Sequence, residues 1–325
     1  MMGRRAWLAG SLALLATPRV ALAQSPARVF RIGLLGGSSP TSPESHIWAA
    51  FFQELRNLGY VEGQNIAFEG RYYGDRVEDL PGFAAELVRL QVDVIVAAAA
   101  PAPEAAKHAT ATIPIVMANH ADPVGSGLVA SIARPGGNVT GLSLPAVELR
   151  LKQLQLLKEI LPGLSRVAFL RNPTIPLDVR ELETAARSLM IRVQVVEART
   201  PSDFRSAFAA ATKERAGALI VLAGSLFFAH RVRLAELAAQ SRLPTVYLLR
   251  EHVDAGGFMT YGVDIRENFR RAAGYVDRIL KGTRPSDLPV EQPTKFELAI
   301  NLKAAKALGL TIPPSVLARA DRLVE

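Results

Sequence analysis

The stretch DVIVAAAAPAPEAAKHATATIPIVMA, residues 93–118, decides the fold class of this chain. It contains two short apolar runs, which predict strands at Asp93–Ala98 and Pro114–Ala118, and a segment between them that predicts a helix at Ala102–Thr110. Strands that are apolar at nearly every position are typical of a parallel sheet with helices on both faces, because neither side of such a strand meets water. The stretch therefore predicts one strand–helix–strand unit of an α/β fold.

The same alternation extends in both directions along the chain. Before and after this unit the pattern predicts strands at Val29–Gly36, Asn65–Glu69 and Asn138–Leu142, with helices at Glu44–Leu58, Val77–Leu90 and near Gly127–Ala133. A second round begins with a long helix at Val147–Leu161 and runs through strands at Arg166–Leu170, Arg192–Val196, Ala218–Leu222 and Thr245–Leu248. Two α/β rounds of similar length predict two Rossmann-like lobes with parallel sheets, joined by a hinge of several segments.

The later part of the chain is expected to cross between these lobes. The glycine-containing segment Asp254–Gly262 predicts a crossing back to the first lobe, where a helix at Asp264–Leu280 would pack. A second crossing is predicted at Arg284–Pro293, followed by helices at Leu298–Leu308 and Pro314–Leu323. The predicted first lobe is then residues 29–143 plus about 258–285, and the second is residues 144–257 plus about 286–325.

Residues 1–23 have the pattern of an export signal. Arg4-Arg5 precedes the apolar run Gly10–Ala16, and Ala21-Leu22-Ala23 has the small residues that signal peptidase requires, so the mature chain is expected to begin at Gln24. The twin arginine favours the Tat route, with Sec as the alternative. No other stretch is long and apolar enough to span a bilayer, so we expect a periplasmic protein that does not span the membrane.

Composition excludes several classes of protein. The chain has no cysteine, which excludes a lipobox anchor, disulfides and a thiol nucleophile. Removal of residues 1–23 takes away three arginines and no acid, which lowers the net charge from +8 to +5. The basic residues are interspersed with acids, so no nucleic-acid partner is expected.

The sequence offers no catalytic constellation. The five histidines have no metal-ligand spacing, and GxSxG and Walker A patterns are absent. Residues 125–130 (GSGLVA) fit a relaxed dinucleotide motif, but the acid at the required spacing, Glu148, falls inside a predicted helix. We therefore expect no enzymatic activity, no metal and no cofactor.

Ligands of parallel sheets bind beyond the carboxyl ends of the strands, so the loops there give the candidate site. Asp122 precedes a proline and either caps the predicted helix that follows or contacts a ligand. Glu251 is either a solvated acid or a partner for an ammonium group. Tyr261 can stack on a ligand, whereas at least one of Phe227 and Phe228 is expected in the core. The candidate ligand contacts from these loops are Asn119, His120, Asp122, Asn172, Ser225, Phe227, Glu251 and Tyr261.

Several segments together carry a family resemblance. They are residues 58–65 (LGYVEGQN), 93–96 (DVIV), 112–116 (TIPIV), 122–128 (DPVGSGL), 133–141 (ARPGGNVTG), 288–297 (LPVEQPTKFE) and 307–314 (ALGLTIPP). Over nearly its whole mature length the chain resembles the ABC-transporter substrate-binding proteins of the group that includes tryptophan- and tyrosine-binding members. The resemblance implies a type I periplasmic-binding-protein fold.

One departure from that family affects the expected ligand. Its members often place a hydroxyl residue before Pro-Ala after the third strand, whereas this chain has Ala99-Ala100-Pro101-Ala102. Backbone N–H groups near Pro101 and Ala102 could still bind an anion, and Ser38 and Ser39 offer hydroxyls nearby in the predicted cleft. The solute is thus left open between an amino acid, an aromatic acid and another small organic molecule.

The function that the resemblance implies is an exported receptor of an ABC importer. Such a receptor would capture a small-molecule solute between its lobes by hinge closure, as a monomer, and deliver it to an ABC permease in the inner membrane. The alternatives are a ligand-sensing partner of a membrane receptor kinase and a periplasmic enzyme.

Overall fold

The computed structural model of the chain describes residues 28–37, 39, 45–74, 76–98, 100–175 and 177–325. The predicted leader, residues 1–23, and Ser38 lie outside this range. The described residues form two mostly parallel sheets, each with its own hydrophobic core. We call each sheet, with the helices packed on it, a lobe.

The first lobe contains a five-stranded parallel sheet with the order β2-β1-β3-β4-β5. Its strands are β1 (Phe30–Gly36), β2 (Ile66–Tyr72), β3 (Val94–Ala98), β4 (Ile115–His120) and β5 (Val139–Ser143). The helices of this part are α1 (Ser45–Asn57), α2 (Leu80–Arg89) and α3 (Ala102–Ala109). Every residue of β3 and β5 is buried, because both faces of these strands are covered.

The second lobe contains a seven-stranded sheet with the order β12-β11-β10-β9-β8-β6-β7. Its strands are β6 (Arg166–Arg171), β7 (Arg192–Glu197), β8 (Ala218–Val221), β9 (Thr245–Tyr247), β10 (Met259–Gly262), β11 (Glu297–Asn301) and β12 (Arg322–Val324). The remaining helices are α4 (Ala146–Ile160), α5 (Val179–Arg187), α6 (Phe204–Lys213), α7 (Ser225–Ala229), α8 (Arg231–Gln240), α9 (Glu251–Asp254), α10 (Ile265–Leu280), α11 (Leu302–Ala307) and α12 (Pro314–Leu317). Only β10 and β11 pair antiparallel among these strands.

The chain passes between the lobes at three places. It leaves the first sheet after β5, returns after β10 so that α10 packs on α1 and β4, and leaves again before β11. Near the last crossing the backbone N–H of Ser143 donates to the Glu291 carbonyl, which ties the returning segment to β5. These three crossings are the covalent connections between the lobes in the described part of the chain.

The predicted boundary of the first lobe near residue 258 is wrong. Met259–Gly262 is a strand of the second sheet, where it pairs with β9 and β11, so the chain returns to the first lobe only at α10. The adjacent glycines Gly256 and Gly257 suggested a crossing, but they form the turn that leads into this strand.

Three predicted helices also differ from the structure. Leu298–Leu308 begins as strand β11 before helix α11, and Pro314–Leu323 contains the short helix α12 and then strand β12. The segment 127–133 has no helix, because Gly127 takes the left-handed conformation (φ +72°) and the chain turns there. In the first two segments, pairing with neighbouring strands makes part of the predicted helix a strand. The periodicity of one segment contains no information on such pairing.

No helix within the described ranges is both long and apolar enough to cross a membrane.

Candidate ligand-binding cleft

The carboxyl ends of strands from both sheets meet at one cleft. β1, β3 and β4 end at residues Gly36, Ala98 and His120, and the second lobe contributes the loops that follow β8 and β9. Helix α10 begins beside the same space. This is the place where an open parallel sheet leaves backbone N–H groups and side chains accessible to a ligand.

One part of the cleft is apolar, and both lobes line it. We call it the apolar pocket, with about 600 Å³ of empty space including its open mouth. Its walls carry Trp48 and Phe269, whose ring centroids lie 5.0 Å apart at 86°, and Phe228 from the second lobe. The full lining is Gly37, Ile47, Trp48, Ala98, Asn119, Gly224, Ser225, Phe228, Leu249, Ile265 and Phe269. A pocket of this kind suits a ring or another apolar group.

Asn119 places an amide in this apolar wall. Its Oδ1 atom is buried and has no hydrogen-bond partner among the described residues. An unpaired buried acceptor costs free energy until a donor reaches it. Asn119 can therefore orient a ligand that carries an N–H or O–H group.

The two lobes touch directly at the edge of the apolar pocket. The hydroxyl of Tyr73, from the first lobe, lies 3.0 Å from Oγ of Ser225, the first residue of α7. Burial raises the pKa of Tyr73 above its ordinary value, so its hydroxyl keeps its proton and can donate. A Cβ atom on Gly37 would lie only 2.5 Å from Cβ of Ser225, so glycine allows this close approach.

A second part of the cleft is polar. We call it the polar pocket, with about 780 Å³ of empty space including its mouth. Glu104, in the first turn of α3, and His120, at the end of β4, form its buried side, and Arg150 of α4 lies in its wall. The lining is Ala100, Glu104, His120, Ala121, Asp122, Gly125, Ser126, Ala146, Val147, Arg150 and Ile175.

The polar groups of this pocket form an ordered chain. The backbone N–H of Asp122 donates to Nδ1 of His120 at 3.1 Å, and Nε2 of His120 lies 2.8 Å from Oε1 of Glu104. His120 is only 4% exposed. Asp122 itself is exposed, and its Oδ1 accepts from the backbone N–H of Gly125 at 2.7 Å, which is the turn-capping role.

The structure brings four of the predicted contact residues to these two pockets. Asn119 and Ser225 line the apolar pocket, and His120 and Asp122 line the polar pocket. All four follow or end a parallel strand or begin the helix after it. Pro101 is partly exposed and directly precedes α3, the helix that carries Glu104.

Other predicted contact residues have local structural roles. Ala102 and Phe227 are buried in the cores of their lobes, and neither belongs to the lining of the two pockets. Asn172 is 6% exposed, and its Oδ1 accepts from the backbone N–H and the hydroxyl of Thr174. Tyr261 stacks on Phe296 with 6.0 Å between ring centroids.

Two further candidates lie away from both pockets' centres. Glu251 begins α9, where its carboxylate is 4.0 Å from the guanidinium of Arg250. Ser39 lines a separate hollow at the edge strand β2, together with Phe52 and Phe68. Ser38 is outside the described residues.

Sequence reasoning missed Trp48, Phe269 and Glu104 as site residues, and of the neighbours Phe227 and Phe228 it named Phe227 as the contact, whereas Phe228 lines the apolar pocket. Trp48 and Phe269 lie on apolar helix faces, which predict core packing, and both are indeed nearly buried. Glu104 was not predicted, because the favourable interaction with the helix dipole is the ordinary reason for an acid in the first turn of a helix. The available signal was its position one turn after β3, at the same sheet edge as Asn119.

Burial also affects a histidine just behind the apolar pocket. His252 stacks on Tyr247 with ring centroids 4.6 Å apart, and it lies edge-on to Phe228 at 6.0 Å. Burial lowers the pKa of His252 to about 4, so it is neutral near pH 7. Within the described ranges, no group of three or more histidine, aspartate or glutamate side chains could hold a metal ion.

Comparison with known proteins agrees with this architecture. The model of the family "ABC transporter substrate binding protein" matches residues 45–324. The tyrosine-binding protein of Clostridioides difficile strain R20291 is 26% identical over 264 residues, which are 80% of this chain and 75% of that protein.

Two solved structures are similar over most of the chain. The crystal structure of a conserved domain protein from Vibrio cholerae O1 biovar El Tor has a TM-score of 0.84 and 29% identity, covering 91% of this chain and all of that one. The ABC domain from Streptococcus pneumoniae in complex with L-Trp has a TM-score of 0.80 and 25% identity, covering 90% of this chain and all of that one. Both confirm the predicted type I periplasmic-binding-protein-like fold. The chain belongs to the ABC transporter substrate-binding protein family, whose members bind a substrate and are not enzymes.

Proposed function

We propose that this protein is the exported receptor of an ABC importer, which captures a small organic solute with an aromatic or other apolar group. The observation that carries the proposal is the apolar pocket, because its walls come from both lobes. A solute that contacts both lobes stabilises the closed arrangement over the open one, whereas a solute held by one lobe cannot shift that equilibrium.

Two named relatives support an aromatic solute. One is a tyrosine-binding protein and the other is a domain in complex with L-Trp. The aromatic lining of the pocket by Trp48, Phe228 and Phe269 is compatible with such a ring. The predicted export signal, which precedes the described residues, supports a periplasmic location. Membership of the family supports a permease as the partner that receives the solute.

The protein offers a direct reporter of binding. Its two tryptophans are Trp7, in the predicted leader, and Trp48, in the wall of the apolar pocket. In a protein lacking residues 1–23, tryptophan fluorescence therefore comes from the pocket alone. A solute that enters should change the emission of Trp48, and a variant with Trp48→Phe should lose that signal.

The test is a thermal-shift screen with amino acids, aromatic acids and sugars, followed by calorimetry of the solutes that raise the melting temperature. A ligand that binds the folded state stabilises it in proportion to the logarithm of its concentration over Kd. We expect binding accompanied by a smaller radius of gyration in solution scattering. A protein whose scattering is unchanged at saturation would contradict closure, and one that binds no solute would contradict the receptor function.

A further inference from the structure

We infer that the polar pocket receives a primary ammonium group of the solute, with the carboxylate of Glu104 as its acceptor. The inference deepens the proposed function and rests on it, because it assigns one end of a solute bound in the same cleft. It narrows the solute class to amines and amino acids that carry an apolar group, and it excludes aromatic acids without an amine.

The hydrogen bonds of His120 assign the tautomer of its neutral ring. Its Nδ1 accepts the backbone N–H of Asp122, so Nδ1 carries no proton. The ring proton is then on Nε2, which donates to Oε1 of Glu104. A neutral histidine supplies a hydrogen bond but no positive charge. In this tautomer His120 gives Glu104 one hydrogen bond and no opposite charge.

The second oxygen of that carboxylate is unsatisfied. Oε2 of Glu104 is buried and has no hydrogen-bond partner among the described residues, although the side chain as a whole is 20% exposed and lines the pocket. A buried carboxylate oxygen without a donor is costly, and an ammonium donor removes that cost while neutralising the charge. Oγ of Ser126, in the same lining, is also buried and unpartnered, and it offers a second acceptor.

The other charges of the pocket favour the same head group. Asp122 adds a second carboxylate, and Arg150 in the wall formed by α4 adds one positive charge. With His120 neutral, the lining has an excess of one negative charge. A cationic group is therefore attracted to the Glu104 side of the pocket.

Residues that are neighbours along the chain line the two pockets. Ala98 and Asn119 line the apolar pocket, and Ala100 and His120, one or two residues further along the same two segments, line the polar pocket. The inferred solute spans the two pockets, with its apolar group in the apolar pocket and its amine toward Glu104.

Three indole probes test this assignment by calorimetry on the protein lacking residues 1–23. L-tryptophan carries an ammonium and a carboxylate, tryptamine only the ammonium, and indole-3-propionate only the carboxylate. We expect both ammonium probes to bind at least tenfold more tightly than indole-3-propionate, because a charge-assisted hydrogen bond is lost with the amine. Glu104→Gln should weaken both ammonium probes by about tenfold or more and leave indole-3-propionate unchanged.

Glu214→Gln is the matched control. Glu214 is an exposed glutamate of the second lobe that pairs with Arg166, and its neutralisation should change the affinity of no probe. If Glu104→Gln does not fold, the affinities of the unaltered protein for the three probes still show whether binding depends on the ammonium group.

The outcomes separate this inference from the proposed function. Equal affinity of the unaltered protein for L-tryptophan and indole-3-propionate would overturn the ammonium site, as would an unchanged preference in Glu104→Gln. A solute screen that finds ligands but no amine among them would also overturn it and leave the receptor function standing. A screen without any ligand would overturn both.

Discussion

The hydroxyl of Tyr73 and the hydroxyl of Ser225 lie 3.0 Å apart and join the two lobes across the mouth of the cleft. Tyr73 directly follows β2 of the first sheet, and Ser225 begins α7 after β8 of the second sheet. The contact exists only while the lobes are close together. If the lobes close on the solute as proposed, this contact should contribute to solute affinity without stabilising either lobe by itself.

Tyr73→Phe removes this hydrogen bond and keeps the ring. One neutral hydrogen bond contributes about 1 kcal/mol, so we expect the affinity for the tightest solute of the screen to fall about fivefold. The melting temperature of the solute-free protein should stay nearly constant. Ser225→Ala should give the same loss, and the double variant should lose no more than either single one, because both remove the same bond. Additive losses in calorimetry would show that the two hydroxyls act separately.

Gly37→Ala tests the close approach of the lobes. The added Cβ would lie 2.5 Å from Cβ of Ser225, so the lobes must separate locally and the affinity should fall at least tenfold. Adding Ser225→Gly to this variant removes the obstructing atom and should restore part of the affinity. Gly163→Ala is the control, because a Cβ there meets no atom within 4 Å. Unchanged affinity in Gly37→Ala would mean that the bound state keeps the lobes further apart.

Asn119→Ala should separate binding from stability. Its Oδ1 has no hydrogen-bond partner among the residues that the structure describes, so removal of the side chain should change the free energy of unfolding by less than about 0.5 kcal/mol. Affinity for a solute with an N–H or O–H group should fall about fivefold or more. Chemical denaturation and calorimetry measure the two quantities independently. A loss of stability without a loss of affinity would assign Asn119 to the fold.

His252 should make the protein less stable in acid. Its pKa is about 4 in the folded protein and near 6.5 in the unfolded chain, because burial disfavours the charged ring. The unfolded chain therefore binds a proton first as the pH falls. The contribution of His252 is fully present above pH 6.5 and is lost between pH 6.5 and 4, by an amount on the order of 3 kcal/mol.

His252→Phe preserves an aromatic ring against Tyr247 and removes this titration. Urea unfolding at pH 7 and pH 4.5 should show a larger loss for the unaltered protein than for the variant. An equal loss in both proteins would show that His252 stays accessible to protons in the folded state.

The sequence predicted the parallel strands well, because buried strands such as Val94–Ala98 are apolar at every position. It failed at β11, where five strand residues run directly into helix α11 and their apolar positions read as one helix. The pairing of Glu297–Asn301 with β10 is a long-range contact, and local periodicity does not contain it.

The site was predictable where topology alone places a residue. Asn119, His120 and Ser225 stand at strand or helix ends, so the parallel sheet rule locates them. Trp48 and Phe269 were not predictable, because the residues that line an apolar pocket and those that fill a core have the same chemistry. Only the packing of α10 against α1 shows that their rings border a space.

Helix α10 also determines when the core of the first lobe can form during translation. Its Phe269, Ala272 and Val276 complete the cluster around Trp48 and Phe51, although more than 200 residues separate the two segments. A nascent chain that stops before residue 265 leaves that aromatic surface uncovered. The aromatic core of the first lobe therefore cannot be completed until most of the polypeptide has been synthesised.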